Sequence, residues 1–179
     1  REAINSILDL PQIVIDDAPH EQEHSVEVHI PFLQEMLGDF KIVPLVTGVG
    51  TGEKVAEVLE RLCGDKTTRF LISSDLSHYY KYEDAQRLDE ATAIAIESMN
   101  PASISHEHAC GCIPMQGMLI TSIKYGLCID RLDLRNSGDT IGRKGRVVGY
   151  GSWAFSYNKD SNCLTRKHPT IKQDIIKLE

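Results

Sequence analysis

Long apolar runs are missing from this 179-residue chain, and so is an excess of basic residues. No stretch approaches the roughly 20 apolar residues of a membrane-spanning helix. Nineteen Lys and Arg stand against 26 Asp and Glu, giving a net charge of −7. That balance excludes the clustered positive footprint by which proteins hold nucleic acid. The five cysteines, at 63, 110, 112, 128 and 163, are odd in number and lack the spacing of a small disulfide scaffold. They are expected to be reduced thiols in a cytoplasmic protein. A second cysteine pair to match Cys110 and Cys112 is missing, which excludes a closed structural zinc site. Neither G-x-G-x-x-G after a strand nor G-x-x-x-x-G-K-[ST] occurs, so a nucleotide-binding loop is unsupported. Repeats and low-complexity segments are absent, and nothing reads as a secretory signal.

What is present is ordinary globular material, 41% apolar and 25% charged, long enough to bury a core. Residues 1–9 pattern as the end of an amphipathic helix that starts without Met, which suggests that residues precede it. Residues 12–15, 40–48, 68–74, 128–136 and 146–156 read as strands, the last of them central. Helices are expected within "VEVHIPFLQEML" (26–37), starting or kinking at Pro31 and capped by Gly38, and over 53–63, 83–99 and 112–126. In the 83–99 helix, Leu88, Ala91, Ala95, Ile96 and Met99 are expected to share the buried face. Residues 16–25 and 137–145 read as loops. Strands alternating with helices imply one α/β domain over 1–156, its sheet largely parallel and covered on both faces, followed by a peripheral tail over 157–179.

Ligands of such sheets bind beyond the carboxyl ends of strands. "LISSDLSHYY" (71–80) places Asp75 and His78 there. A carboxylate beside an imidazole can set its tautomer and support its protonated form, which makes His78 a candidate general acid/base and Asp75 its partner. The plainer alternative has Asp75 capping the next segment and His78 as a loop residue. "HEQEHSVEVH" (20–29) is rich in potential metal ligands, but its spacing does not match H-x-x-E-H. Glu23 and Ser25 serve equally well as capping groups there, and the roles of Glu23, His24 and Glu27 stay open. "HEHACGC" (106–112) sets two imidazoles and two thiols just before a helix, where the dipole favours thiolate. Cys110 is therefore either a metal ligand or redox-active thiol, or a small buried hydrophobe. Asn136, Ser137 and Asp139 are expected to shape their loop.

Taken in order, "EHSVEVHIPFLQ", "SSDLSHY", "ACGCIP" and "NSGDTIG…VVGYG" resemble the Memo family, component B of the AmmeMemoRadiSam group, from about His20 to about Phe155. The resemblance implies the fold of class III extradiol dioxygenases, a three-layer α/β/α sandwich with a mostly parallel or mixed central sheet. It implies a site binding Fe(II) or Cu through two His and one Cys, suited to redox or dioxygen chemistry. Cys110 matches the Cys ligand. His78 matches the acid/base His, with Asp75 beside it, and Glu23 and His24 match a pocket-lining signature. The family's two ligand histidines belong to "HAGY"-like and "SHH"-like motifs that precede the matched region and do not occur here. This chain therefore resembles the C-terminal part of a Memo-like protein, with an incomplete metal site and a sheet lacking upstream strands. A second implication is an adaptor that takes a small molecule or peptide in the same cleft. A third is partnership with radical-SAM and AMMECR1-like proteins.

Overall fold

The computed structural model describes residues 2–63, 67–157 and 176–178. Among these residues six α-helices, α1 (Glu2–Asn5), α2 (Ile30–Leu37), α3 (Gly52–Leu62), α4 (Tyr82–Glu97), α5 (Cys112–Tyr125) and α6 (Ser137–Ile141), combine with five strands, β1 (Leu71–Ile72), β2 (His78–Tyr80), β3 (Leu127–Asn136), β4 (Val147–Tyr157) and β5 (Ile176–Leu178). The chain is thus a mixed helix-and-sheet protein. Strand β4 is the axis of the sheet. It pairs antiparallel with the length of β3, from Leu127 opposite Tyr157 to Asn136 opposite Gly149. On its other edge β4 pairs antiparallel with β2 near Val147 and Val148, and with β5 near Trp153 and Phe155. The one parallel ladder among the described residues joins β1 to β5.

The sheet is mixed rather than largely parallel, and the β3–β4 connection shows why. Residues 137–146 hold only the short helix α6, too little for a crossover that would return the chain parallel. That segment, expected as a loop, closes on itself through a capping box. Asn136 Oδ1 accepts from the Gly138 amide at 2.9 Å, and Asp139 Oδ2 accepts from the Asn136 amide at 2.8 Å.

Trp153 and Phe155 project from β4 into one core with Ala93 and Ile96 of α4 and Met115, Met118 and Leu119 of α5. Helix α3 packs on α5 so closely that a Cβ on Gly117 would lie 2.5 Å from Val55 Cγ1. Helix α5 ends, as its sequence predicts, in a left-handed Gly126 (φ 64°). Helix α4 keeps most of its predicted face: Ala95 and Ile96 are buried and Leu88 and Met99 half-buried, while Ala91 is exposed and Ala85, Asp89, Thr92 and Ala93 are buried as well. Two polar residues, Asp89 and Thr92, also sit on the core side, which apolar periodicity alone does not show.

Two predicted strands are not strands. Residues 12–15 and 40–48 run without ladder partners among the described residues. Many of their apolar side chains face outward: Val14 and Ile15 are more than 70% exposed, and Ile42, Leu45 and Val46 are also exposed, while Ile13, Phe40 and Val43 are half-buried. Helix α2 likewise exposes Phe32, Met36 and Leu37. A strand needs a neighbour, and these apolar runs have the composition of strands without one. The tail over 158–175 lies outside the described residues. Cys63, Cys110 and Cys112 are free thiols, but Cys128 is disulfide-bonded, so the expectation of reduced cysteines fails at Cys128. Among the described residues no helix is long and apolar enough to cross a membrane.

Candidate functional site

The segment after β1 leaves the sheet as "SSDLSH" and meets the turn that leads into α5. Its contacts centre on sulfur. The Asp75 main-chain amide donates to Cys110 Sγ at 3.3 Å, and Ser74 Oγ lies 3.5 Å from the same sulfur. Ser74 also ties the two segments directly, because its Oγ accepts from the Gly111 amide at 2.9 Å and donates to the Asp75 carbonyl at 2.7 Å. The fit leaves no room for a side chain at position 111, where a Cβ would come within 2.7 Å of Ser74 Cβ and 3.0 Å of the Ser73 carbonyl. Thus Gly111 lets the α5 turn dock on the strand end and carries Cys110 with it.

Asp75 faces two ways. Its amide holds the sulfur, while its Oδ2 lies 3.7 Å from His78 Nε2, with both side chains partly exposed. At that distance the two side chains are neighbours but do not form a tight hydrogen bond. His78 is displayed by an irregular strand. The register of β2 against β4 shifts between His78 and Tyr80, and the intervening Tyr79 has a left-handed backbone with φ 63°. A bulge of this kind re-aims the neighbouring side chain, at a cost in strain for a residue bearing a Cβ. The Tyr79 ring stands edge-on to the His78 ring with centroids 5.9 Å apart, and the Arg146 guanidinium lies 4.8 Å over the Tyr79 ring.

Tyr150 and Asp89, which the sequence does not single out, belong to this neighbourhood together with His29, one of the potential ligands in "HEQEHSVEVH". His29 is buried and its Nε2 is 2.9 Å from Ser73 Oγ, which brings the 27–29 turn against the strand end. Its only signal was its place at the end of "HSVEVH". Tyr150 on β4 has its phenol pushed up, first by burial and then by the negative charge of Asp75. Asp89 on α4 is 2% exposed and accepts from the Ser77 amide at 2.9 Å. Nothing in a helical hydrophobic pattern marks a buried carboxylate.

The residues expected to converge do so in part. Asp75, His78 and Cys110 form a continuous chain of neighbours. Glu23 and His24 instead find partners within their own turn. Glu23 Oε1 accepts from the Ser25 amide at 2.8 Å, and this hydrogen bond lowers the Glu23 carboxyl. His24 Nδ1 lies 2.7 Å from Glu27 Oε1, with both side chains largely exposed. That is the capping alternative for Glu23, and the short loop satisfies it without any pocket. Among the described residues no group of three or more His, Cys, Asp or Glu side chains is disposed to hold a metal ion. One thiol, one imidazole and one carboxylate strung along a surface do not enclose a cation, so the residues present do not by themselves fit the Fe(II) or Cu site that the resemblance implies.

Comparison with known proteins decides the lineage. The sequence profile described as Memo-like protein matches residues 1–154. The chain belongs to the Memo family. It is 36% identical over 162 residues to a MEMO1 family protein of Sulfolobus acidocaldarius, an alignment covering 83% of this chain and 57% of that protein. It is 37% identical over 154 residues to one from Methanobrevibacter smithii, covering 78% of this chain and 54% of the relative. A MEMO1 family protein of Archaeoglobus fulgidus is 35% identical over 165 residues, covering 86% of this chain and 61% of the relative. The chain therefore spans little more than half the length of these Memo relatives.

Proposed function

We propose that the Cys110–Asp75–His78 corner is one wall of a ligand cleft in a Memo-family protein. His78 exchanges a proton with the bound ligand, Asp75 supplies the compensating charge, and Cys110 offers a soft sulfur. The observation that carries this reading is the double contact of Asp75, which links the thiol and the imidazole although Cys110 comes 35 residues later in the chain. Fe(II) or Cu would take such a sulfur as one ligand. The remaining ligands would have to come from outside the described donor set, and no step is assigned to a metal. The same reading extends to architecture: a three-layer sandwich would be completed by polypeptide laid over the exposed apolar residues between Val14 and Val49.

The test is anaerobic titration of the purified chain with Cu(I) against a chromogenic chelator, comparing wild type with Cys110→Ala. Uptake that depends on Cys110 supports the sulfur as a ligand; equal uptake by both proteins removes it from the role. An adaptor that takes a peptide is the second reading, favoured by the exposed Phe32, Met36 and Leu37. A fluorescent phosphotyrosine peptide whose binding is lost in Phe32→Ser and kept in Cys110→Ala would favour it.

A further inference from the structure

The buried carboxylate of Asp89 has no part in the cleft chemistry described above, yet it sits directly behind it. Three elements meet there. Helix α4 supplies Asp89, which is 2% exposed. The segment leading into β2 supplies the Ser77 amide, which donates to Asp89 Oδ1 at 2.9 Å. Strand β4 supplies Gly149, where a Cβ would lie 2.1 Å from Asp89 Oδ2 and 2.5 Å from its Cγ. The carboxylate thus fills the space that any side chain at 149 would occupy. Gly149 in turn holds the same segment by its main chain, donating to the Ser77 carbonyl at 2.8 Å and accepting from the Leu76 amide at 2.9 Å. Every main-chain hydrogen bond of Ser77 therefore goes to Asp89 or Gly149, one residue before His78 and two before the strained Tyr79.

A left-handed, β-bulged Tyr79 persists only where its surroundings over-determine the backbone. A neutral surface contact would not do this, because it exchanges readily with water. A buried carboxylate aimed at a main-chain amide makes a charge-assisted hydrogen bond in a low-dielectric setting, where it is strong and costly to lose. Burying a charge that merely fills space would be unfavourable, so an isolated structural explanation of Asp89 is weak.

We propose that Asp89 is the positioning residue of the cleft: it clamps the Ser77 backbone and thereby fixes the bulged strand that presents His78. The inference stands whether or not the cleft binds a metal. It concerns how His78 is held, and it would survive failure of the Cu(I) titration. Burial pushes the Asp89 carboxyl up, the Ser77 amide opposes that shift, and the charge of nearby His78 opposes it further. His78 is the titratable neighbour that acts on Asp89 from the strand side.

Two measurements on the full chain test the clamp. The first is amide hydrogen exchange at Ser77. Asp89→Ala should accelerate Ser77 exchange by at least about tenfold, while Asp89→Asn, which keeps an acceptor oxygen, should restore most of the protection. Unchanged Ser77 exchange in a folded Asp89→Ala protein overturns the proposal, as does failure of Asn to rescue. Because Asp89→Ala could fail to fold, the second measurement uses folded proteins only. The carboxyl carbon of Asp89 is titrated by NMR in wild type and in His78→Gln, a change at a partly exposed position. The expected result is a midpoint above the ordinary aspartate range that rises further in His78→Gln. A midpoint indifferent to His78→Gln uncouples Asp89 from the presented imidazole and also overturns the proposal.

Discussion

The Asp75 amide points at Cys110 Sγ from 3.3 Å, across 35 residues of chain that include the whole of α4. This contact exists because Gly111 has no side chain. Substituting Gly111→Ala is expected to push the α5 turn away from Ser74, since the new methyl would meet both a side chain and the Ser73 carbonyl. The expected cost is about 1–3 kcal/mol, the range for overpacking a close-fitting contact. Urea melts measure that cost, and alkylation of the free thiols should show Cys110 reacting faster than in wild type. A variant as stable as wild type would mean that the turn docks with slack.

Asp89 gives a pH dependence with a definite sign. Its carboxyl is raised in the folded protein, mainly by burial. The folded state therefore binds that proton more tightly than the unfolded chain. The contribution to stability is greatest below the ordinary aspartate value of about 3.9 and is lost as pH rises toward the folded value. Asp89→Asn cannot titrate, so its stability relative to wild type is expected to increase as pH rises through that window. Paired urea melts from about pH 4 to 7 would show it, and a constant difference between the two proteins would argue against a raised carboxyl.

Arg131 on β3 lies between two glutamates of α4. It donates to Glu90 through both terminal nitrogens, at 2.9 and 3.0 Å, and also pairs with Glu97. Glu97 Oε1 accepts from Trp153 Nε1 at 3.1 Å, so the network reaches the single tryptophan. Arg131→Ala is expected to cost about 1–3 kcal/mol, because partly desolvated carboxylates lose their partner. It should also shift Trp153 fluorescence. The Glu90 carboxyl is lowered chiefly by its Arg131 hydrogen bond. The stability it lends is present above the ordinary glutamate range and lost as pH falls, so Arg131→Ala should be the less acid-sensitive protein, relative to its own neutral-pH stability.

The outward-facing apolar side chains of α2 should bind a hydrophobic dye. Phe32→Ser with Met36→Gln is expected to reduce dye binding and aggregation of the isolated chain while moving stability by no more than about 0.5 kcal/mol. A large loss of stability would show that these side chains are packed after all.

Much of the frame was legible before any coordinates. Helix α5 and its Gly126 cap, helix α3, strand β3 and the central β4 all follow from local pattern and terminus chemistry, because periodicity and caps act within a few residues. Residues 12–15 and 40–48 misled for a related reason. Apolar β-prone composition marks a segment that fits into a sheet, but pairing depends on a neighbour that the segment cannot supply. The Memo resemblance was legible because four motifs occur in one order, and the profile match over residues 1–154 establishes the same family.

By itself, then, the sequence determined where the longer helices lie, which residues could carry chemistry, and to which family the chain belongs. It could not determine which of those residues meet. That Asp75 touches Cys110 while Glu23 and His24 turn to their own neighbours was decided by tertiary structure, through the docking of Gly111 on Ser74 and a capping turn that closes within 23–27. Asp89 marks the same divide most sharply. A carboxylate on a helix reads as solvent-facing in any pattern of hydrophobicity, and only the packing of α4 against Ser77 and Gly149 gave it a donor in the interior.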